Sequence, residues 1–358
     1  MIFKQLFDTK SSTYTYLIAS DKGREALIID PVIEHTEIYT KELKDLDLKL
    51  VKVIDTHIHA DHITGLNELS KIYNCSKIMG EQSKSEVIDV RVKNEDKIKI
   101  ENIELNVLGC GSSFGVPLSH NIWGNCDKTN NKNYRTRPSI LLKKAGKSIL
   151  IDTSPDLRRQ LIDNKIDNID SVIYTHSHAD HIHGINDLRT ISLINRKKIP
   201  IYADNITLDT LKTSFSYLFI KSSSHGYEPI LNANILDGEH IEIDGFKIEV
   251  IKQNHGNIDS YGFIFDNKIA YNLDIKFFYD ENYLERIKGI KCWFVGCLRY
   301  DDHPSHASYK EVIDWTKKVN ANQTFLSHMT AHIDYETEFK KLSKSRVYPA
   351  YDGLKLTI

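Results

Sequence analysis

A ten-residue histidine-rich segment occurs twice in this chain, and the repetition constrains the fold more than any other feature. The two copies read THIHADHITG at 56–65 and THSHADHIHG at 175–184. An apolar run ending in aspartate precedes each copy, at Asp30 and at Asp152, and a helical segment and a short apolar run follow that aspartate. The same order of strand, helix, strand and histidine loop therefore predicts two related α/β units.

The chain continues differently after the two copies. Soon after the first copy, a new strand at 105–108 leads into a glycine-rich segment at 109–117, which opens the second unit. After the second copy, predicted strands and helices alternate as far as residue 358. We therefore predict a truncated unit over residues 1–103 and a complete unit over residues 104–358.

Composition excludes several classes of protein. The chain of 358 residues is 41% hydrophobic and carries 47 basic and 49 acidic residues, so neither disorder nor a globally basic nucleic-acid surface is expected. No apolar run reaches the roughly 18–20 residues that cross a bilayer, and no secretory signal is recognised, so no membrane partner is expected. The five cysteines are scattered without a CxxC pair, which favours a reducing, cytoplasmic location.

The second histidine segment has the composition of a metal site. His176 and His178 alternate along an extended stretch and so point the same way, while Asp180 and His181 follow in the turn beyond. Imidazole and carboxylate ligands suit zinc, manganese or iron. A solvated loop of structural histidines is the alternative interpretation, but this order of residues directly after an apolar strand favours metal ligands.

Three further candidates, His255, Asp274 and His328, lie where later strands are predicted to end. In this order the chain resembles the metallo-β-lactamase superfamily over about residues 104–358. The resemblance implies the α/β class with an αββα sandwich, two divalent ions (zinc or manganese) and a hydroxide nucleophile bridging them. It places His176, His178 and His255 on one ion. It places Asp180, which also counts as catalytic, on the other ion with His181 and His328, and makes Asp274 the bridge.

Shorter motifs narrow the resemblance. They lie at 109–117, 135–139, 184–189, 303–306 and 351–353, and they resemble the phosphodiesterase branch, close to the phosphoribosyl 1,2-cyclic phosphate phosphodiesterases. That branch implies that His306 is catalytic and binds a phosphoryl oxygen or protonates the leaving oxygen. The candidate substrate ligands are His303, Arg135, Arg137 and Arg189. Guanidinium groups match phosphate oxygens, although structural ion pairs are the alternative for the arginines.

The resemblance predicts a hydrolase acting on a small phosphodiester or nucleotide-like substrate. RNA processing of the RNase Z type on the same metal centre is the alternative, but it calls for a basic arm, and only short clusters such as 143–144 and 196–198 are present. One departure concerns a structural zinc. The related phosphodiesterases carry a cysteine-rich insert that binds this zinc, whereas the matching stretch at 123–127 contains Cys126 alone.

The first unit resembles a different branch. Segments 3–8, 11–17, 29–32 and 56–65 are similar to the persulfide dioxygenases, which are related to glyoxalase II. Those enzymes hold one iron through the first motif histidine and a later histidine and aspartate, and only His57 has a counterpart here. We therefore expect a gene fusion whose N-terminal iron site is incomplete, with a vestigial motif of His57, His59, Asp61 and His62. Persulfide oxidation, a non-catalytic scaffold role and a homodimer contact through this unit are the alternatives.

Overall fold

The computed structural model describes residues 1–98, 100, 102–221 and 228–358. Within these residues the chain forms two compact units, Met1–Asn102 and Ile103–Ile358. In the same described residues, the helices are all too short or too polar to cross a bilayer.

The first unit is a mixed sheet with helices packed on one face. Its elements are β1 (Ile2–Asp8), β2 (Thr13–Ala19), β3 (Glu25–Ile29), α1 (Thr36–Asp45), β4 (Lys49–Ile54), α2 (Leu66–Tyr73), β5 (Ser76–Gly80) and β6 (Val90–Val92). The strands pair in chain order, antiparallel from β1 to β3 and parallel from β3 to β6.

Side-chain alternation divides the residues of this first sheet between its two faces. Ile28 and Val53 share a hydrophobic cluster with Tyr39 of α1 and Leu69 of α2. Leu27 and its neighbours on the opposite face form a smaller cluster. The larger cluster therefore carries most of the hydrophobic burial of the unit.

The second unit contains two sheets and two sets of helices. Its elements are β7 (Glu104–Gly109), β8 (Ser139–Lys144), β9 (Lys147–Ile151), α3 (Leu157–Asp163), β10 (Ser171–Ile173), α4 (Ala179–Ile182), α5 (Leu188–Asn195), β11 (Ile199–Ala203), α6 (Asn205–Ser214), β12 (Leu231–Ile235), β13 (His240–Ile243), β14 (Phe246–His255), β15 (Ile258–Phe265), β16 (Ile269–Asn272), β17 (Phe277–Phe278), α7 (Tyr283–Arg286), β18 (Cys292–Gly296), α8 (Tyr309–Val319), β19 (Gln323–Ser327), α9 (Tyr335–Leu342), β20 (Val347–Pro349) and β21 (Lys355–Thr357).

The two sheets of this unit pack face to face. Their strand orders are β12-β11-β10-β9-β8-β7-β21 and β13-β14-β15-β16-β18-β19-β20, with β17 paired to β14. Leu150 of β9 points to a cluster shared with α3 and α5, whereas its neighbours Ile149 and Ile151 point to the cluster between the sheets. Val312 of α8 also belongs to the cluster between the sheets. The predicted α/β class with sandwiched sheets is confirmed.

Several local sequence patterns predict elements that the structure contains. The pair Asp244 and Gly245 predicts a hairpin turn and connects β13 to β14. Ser308 followed by Glu311 predicts a capping box, which forms at the start of α8. The sequence over 206–218 predicts one helix, but α6 ends at Ser214, because the backbone of Phe215 leaves the helical region at φ −128° and ψ 37°. Phe215 packs against the helix-side cluster, and a 3₁₀ turn follows it.

The ends of the strands place the polar residues of the candidate site. Asp152 follows β9, Asp274 follows β16 and His328 follows β19, each with a positive φ, of 62°, 48° and 58° respectively. Left-handed backbone turns the chain sharply out of the strand direction, and aspartate and histidine adopt it more readily than most residues do. These turns gather the side chains at one edge of the sandwich.

Candidate metal centre

The side chains predicted as metal ligands in the second unit lie together in the structure. They form groups whose ligand atoms are all within 4.8 Å of one another: His176 with His178 and His255, Asp180 with His181 and His328, and Asp274 with His176 and His181. All of them are buried except His178, which is exposed. The sequence pattern thus corresponds to a real cluster with two sub-sites.

The carboxylate of Asp274 lies between the two sub-sites. Its Oδ2 is 3.2 Å from His181 Nε2, and its Oδ1 is 3.3 Å from His328 Nε2 and 3.6 Å from His255 Nε2. Among the carboxylates of the described cluster, Asp274 is the one with ion-pair distances to imidazoles of both groups. This is the arrangement expected of a bridging carboxylate.

Residues behind the cluster fix the orientation of the imidazoles. His181 donates from Nδ1 to Asp152 Oδ2 at 2.7 Å, and His255 donates from Nδ1 to the Ser305 carbonyl at 2.8 Å. Asp152 also accepts from the backbone N–H and the hydroxyl of Thr175, at 2.8 and 2.9 Å. With Nδ1 occupied in this way, the Nε2 atoms of both histidines point into the cluster, as ligating histidines do.

The role of Asp152 was not predicted from the sequence, which identified it only as the residue that ends a strand. A signal was present, because an aspartate follows the apolar strand before both histidine segments. Its hydrogen bonds in the structure give that repeated position a physical reason.

Buried polar atoms at the centre of the cluster fit a bound cation. Within the described residues, His176 Nε2, His181 Nε2 and Asp274 Oδ2 are buried and form no hydrogen bond of acceptable geometry, although the last two lie 3.2 Å apart. An unsatisfied buried polar atom costs roughly 1–3 kcal/mol, so three beside one another imply a partner outside the polypeptide. Imidazole nitrogens and carboxylate oxygens are suitable ligands for zinc or manganese.

Charge and burial shift the pKa values of the cluster strongly. Burial lowers the pKa of His181, but the carboxylates of Asp180, Asp274 and Asp152 outweigh it and hold that pKa well above its usual range. Burial raises the pKa of Asp274, yet the surrounding imidazoles hold it well below its usual range. Burial also lowers the pKa of His176. The carboxylate of Asp274 is thus kept ionised, which is the state that binds a cation.

Protein-family models match both parts of the chain. A model described as the beta-lactamase superfamily domain matches residues 147–329, and one described as the metallo-beta-lactamase superfamily matches residues 8–108. The chain belongs to the metallo-β-lactamase superfamily. The family predicted from the sequence is confirmed. The match over 147–329 includes every residue predicted as a metal ligand in the second domain. The match over 8–108 ends before the position at which a counterpart of His255 would be expected.

Individual proteins show the same division. A crystal structure of a diphosphatase from the PhnP family superposes with a TM-score of 0.64 at 31% identity, covering 72% of this chain and 97% of that one. An octanoyltransferase of Porphyromonas gingivalis is 30% identical over 254 residues, which are 70% of this chain and 51% of that protein. The mitochondrial persulfide dioxygenase of Mus musculus is 37% identical over 106 residues, which are 29% of this chain and 41% of that protein, in the N-terminal part. The chain thus spans about half or less of these curated relatives.

Two further histidines lie beside the cluster of candidate metal ligands. His306 Nε2 is 3.7 Å from Asp274 Oδ1, and the His306 ring stacks on His328 with centroids 5.2 Å apart. His303 lies next to His306, with ring centroids 5.1 Å apart. Burial lowers the pKa of His306 to about 3 and also lowers that of His303, so both rings are neutral near pH 7.

A cavity of about 270 Å³ opens next to these histidines. It is lined by Ser112, Ser113, Phe114, Gly115, Leu118, Leu298, Arg299, His303, His306, His328, Thr330, Ala331 and His332. The lining includes Arg299, which sequence reasoning missed because no recognised motif contains it. In the described part of the chain, none of the three arginines predicted to bind phosphate lines this cavity.

The prediction that Arg135 binds substrate phosphate is wrong. Arg135 is 1% exposed, and its guanidinium donates to the Ile333 carbonyl at 2.8 Å, the Thr330 carbonyl at 3.3 Å and Asn133 Oδ1 at 3.2 Å. These contacts leave it no access to a ligand in solution. Through these hydrogen bonds, Arg135 connects the loop between β7 and β8 to the segment that follows β19.

The same network includes the stretch at 123–127, for which the family resemblance raised the question of a structural zinc. Asp334 accepts from Asn133 Nδ2 at 2.7 Å and from the Asp127 N–H at 3.2 Å. The buried Cys126 thiol lies 3.3 Å from the Ile333 carbonyl. Among the described residues, this loop is therefore held by amide, carboxylate and guanidinium contacts around one thiol.

Among the described residues, the other two arginines do not line the cavity either. Arg137 Nε is 3.0 Å from Asp156 Oδ2, and the Arg137 backbone N–H donates to the same carboxylate at 2.9 Å. Arg189 is half-buried in α5. The ion pair of Arg137 corresponds to the structural alternative that the sequence left open.

The histidine motif of the first domain is arranged differently. Asp30, the counterpart of Asp152, lies 3.1 Å from His59 Nε2, so a different histidine of the motif faces the aspartate. His62 Nδ1 lies 3.2 Å from the Thr13 hydroxyl and 3.3 Å from Asp61. His57 is exposed beside His59, with ring centroids 4.2 Å apart. Within the described residues, the grouped ligand atoms here are those of His59, Asp61 and His62.

Proposed function

We propose that the second domain, residues 103–358, is a dinuclear metal-dependent phosphodiesterase. The observation that carries the proposal is the position of Asp274, whose two oxygens face imidazoles of both sub-sites within 3.2–3.6 Å. His176, His178 and His255 would hold one divalent ion, and Asp180, His181 and His328 the other. Zinc or manganese bound there supplies an activated water at neutral pH and neutralises charge on a phosphoryl group.

His306 is the proposed catalytic residue outside the ligand set. Its ring stacks on His328 and both residues line the cavity, so His306 is placed to reach a phosphoryl oxygen of a substrate bound at the centre. A neutral imidazole donates one hydrogen bond, to that oxygen or to the leaving oxygen. Asp180 provides a second carboxylate at the same centre. Its Oδ2 lies 3.4 Å from His328 Nε2 and orients that ring.

Two findings support a small phosphodiester as the substrate. The cavity volume of about 270 Å³ suits a small molecule better than a folded nucleic acid. The PhnP-family diphosphatase is 31% identical, and the chain covers 97% of it. Its name describes cleavage of a phosphorus–oxygen bond, and we extend that chemistry to this chain.

We propose that the first domain has no catalytic role. Its motif lacks, among the described residues, counterparts of His255, Asp274 and His328, and His59 is turned towards Asp30. A persulfide dioxygenase activity would require iron in this domain.

Metal content and hydrolysis together test the proposal. We expect about two zinc or manganese ions per chain by elemental mass spectrometry, and hydrolysis of bis(p-nitrophenyl) phosphate. His178→Ala is expected to reduce both sharply. His59→Ala, the same substitution in the first copy, is the matched control and is expected to change neither.

Three outcomes would contradict the proposal. Unchanged hydrolysis in His178→Ala would show that the assigned metal centre is not the catalytic one. One iron per chain, unaffected by His178→Ala but lost in His59→Ala, would make the first domain the working one. Salt-sensitive RNA binding together with cleavage of structured RNA faster than of the small diester would favour the nuclease alternative.

A further inference from the structure

The ring of His306 is held among other rings. Within the described residues its contacts include a stack on His328, with centroids 5.2 Å apart, and ring contacts with His255 and His303 at 4.7 and 5.1 Å. Its Nε2 lies 3.7 Å from Asp274 Oδ1. These contacts pack the ring without a short hydrogen bond. The direction of Nε2 therefore depends on where the backbone of residue 306 is held.

Two hydrogen bonds attach the backbone on either side of His306 to the segments that carry candidate metal ligands. The Ser305 carbonyl accepts from His255 Nδ1 at 2.8 Å, and the Ala307 N–H donates to the Ile275 carbonyl at 2.7 Å. The first bond leads to the end of β14, and the second leads to the residue after the bridging candidate. The carbonyl of His306 lies between these two attachments and requires a donor of its own.

Lys276 provides that donor. Its Nζ donates to the His306 carbonyl at 3.2 Å, and its backbone N–H donates to the Asn254 carbonyl of β14 at 2.7 Å. The Lys276 side chain is 28% exposed, so most of it is withdrawn from solvent. Lys276 thus connects β14 to the segment of His306 through both its backbone and its ammonium group.

A carboxylate completes the surroundings of the ammonium group. Glu311 Oε2 lies 3.9 Å from Lys276 Nζ, and it accepts from the N–H and the hydroxyl of Ser308 at 2.7 and 2.8 Å in the capping box of α8. The N-terminus of a helix carries partial positive charge, which disfavours a cation beside it. Glu311 compensates that charge. The start of α8 and the His306 carbonyl therefore hold the ammonium group from two sides.

Lys276 lies behind the residue that it contacts. His303, His306 and His328 line the substrate cavity, whereas Lys276, in the described part of the chain, does not. The ammonium group contacts the backbone of His306 rather than its ring. This placement is that of a residue that acts through His306 and not on the substrate.

We propose that Lys276 is a positioning residue for His306. By fixing the carbonyl of His306, it keeps Nε2 beside Asp274, where the reacting phosphoryl group would bind. This inference rests on the proposed phosphodiesterase function and adds to it a residue outside the ligand set. Lys276 itself contacts neither the substrate nor the metal ions in this proposal.

A double-mutant cycle tests the inference with bis(p-nitrophenyl) phosphate. Lys276→Met removes the donor and keeps the stem, and we expect it to lower kcat about tenfold with KM nearly unchanged, because a misplaced catalytic group slows the reaction. Lys276→Arg should recover most of this loss. In the His306→Ala background, Lys276→Met should lower kcat by less than about twofold, because the residue that it positions is absent. Lys317→Met, which removes a surface lysine paired with Asp314 on α8, is the matched control and should leave kcat unchanged.

The position of His306 is also measurable without a substrate. Long-range proton–nitrogen NMR spectra of the zinc-loaded protein show the histidine side chains, and the signals of His306 are assigned by their loss in His306→Ala. We expect these signals to shift in Lys276→Met, to return in Lys276→Arg and to stay in place in Lys317→Met. The same spectra decide the matter if His306→Ala is too slow for the cycle.

Four outcomes would overturn the role of Lys276. They are an unchanged kcat in Lys276→Met, the full tenfold loss in the His306→Ala background, unshifted His306 signals, and loss of metal from Lys276→Met in elemental mass spectrometry. A raised KM with unchanged kcat would make Lys276 a substrate ligand instead. If the native protein does not hydrolyse the diester but the His306 signals shift as expected, the phosphodiesterase proposal fails and the positioning of His306 by Lys276 stands.

Discussion

His181 donates a hydrogen bond from Nδ1 to Asp152 across 2.7 Å, and both side chains are completely buried. The repeat of this motif in the first domain does not preserve the relationship, since Asp30 faces His59 there. One sequence pattern thus supports two different arrangements. In the second domain, additional ligands from later strands surround the histidines and leave Asp152 to orient His181.

The first prediction concerns Asp152. Asp152→Asn removes the charge that polarises His181 and leaves the ligand set itself intact. We expect the metal affinity of the second domain to fall by about 10- to 100-fold, as is usual when a group behind a histidine ligand is lost. Competition with a chromophoric chelator measures this affinity. Asp30→Asn is the control, and an equal effect of both variants would mean that Asp152 has no special relation to the metal centre.

Arg135 provides a test of stability. In Arg135→Gln the carbonyls of Thr330 and Ile333 lose their donor in a buried site, which we expect to lower the free energy of unfolding by about 2–4 kcal/mol. Trp123, Trp293 and Trp315 all lie in the second domain, so urea unfolding followed by tryptophan fluorescence reports on that domain. Arg159→Gln, which removes an arginine paired with Asp163 on the surface of α3, should have little effect. If Arg135→Gln has native stability but a raised KM for the phosphodiester, Arg135 would be a substrate-binding residue rather than a structural one.

The glycines that end the two histidine motifs should respond differently to alanine. A Cβ at Gly184 would lie 1.9 Å from the Ser154 carbonyl oxygen, whereas a Cβ at Gly65 would lie 3.3 Å from Pro31 Cβ. We expect Gly184→Ala to destabilise the second domain by about 3 kcal/mol, because backbone has to move. Gly65→Ala requires only a small adjustment. Thermal unfolding followed by far-UV circular dichroism measures both, and equal losses would contradict the close approach at Gly184.

Asp352 should give the second domain a distinct pH dependence. Burial raises its pKa to about 6, although it accepts hydrogen bonds from Thr136 and from the Cys110 N–H. Between pH 4 and pH 6 the folded state then binds more protons at this site than the unfolded chain. Stability from this group is therefore highest below about pH 4 and falls as the pH rises through 6.

The pH effect is isolated by comparison with Asp352→Asn, which does not titrate. Between pH 4 and pH 7, we expect the stability of the native protein relative to this variant to fall by about 2 kcal/mol. Urea midpoints by tryptophan fluorescence supply the difference at each pH. If the difference in stability does not change with pH, the hydrogen bonds that Asp352 accepts offset the effect of burial on its pKa.

The signal for the first metal candidates is local. His176 and His178 are two residues apart, and alternation along an extended segment is enough to pair them. The hairpin turn at Asp244 and Gly245 and the capping box at Ser308 are equally local. The assignment of His255 and His328, by contrast, came from the family resemblance, because a histidine at the end of a predicted strand is a weak signal by itself.

The features that sequence reasoning missed depend on contacts between distant residues. Arg135 lies in a motif typical of phosphate-binding enzymes, and only the return of the chain at Thr330–Ile333 buries it. Arg299 lies in a segment with no recognised pattern, and its environment includes Phe114 from the far end of the domain. Neither the burial of Arg135 nor the position of Arg299 in the cavity wall has a local signature.

The loop that carries Phe114 owes its position to Arg135, whose backbone pairs with Val116 in both directions at 2.8 Å. Guanidinium, amide and carboxylate groups do not exchange with chelators and are not oxidised under ordinary conditions. Among the described residues, these contacts hold the wall of the cavity without a metal ligand set of its own. We therefore expect a chelator that empties the proposed metal centre to leave this wall in place.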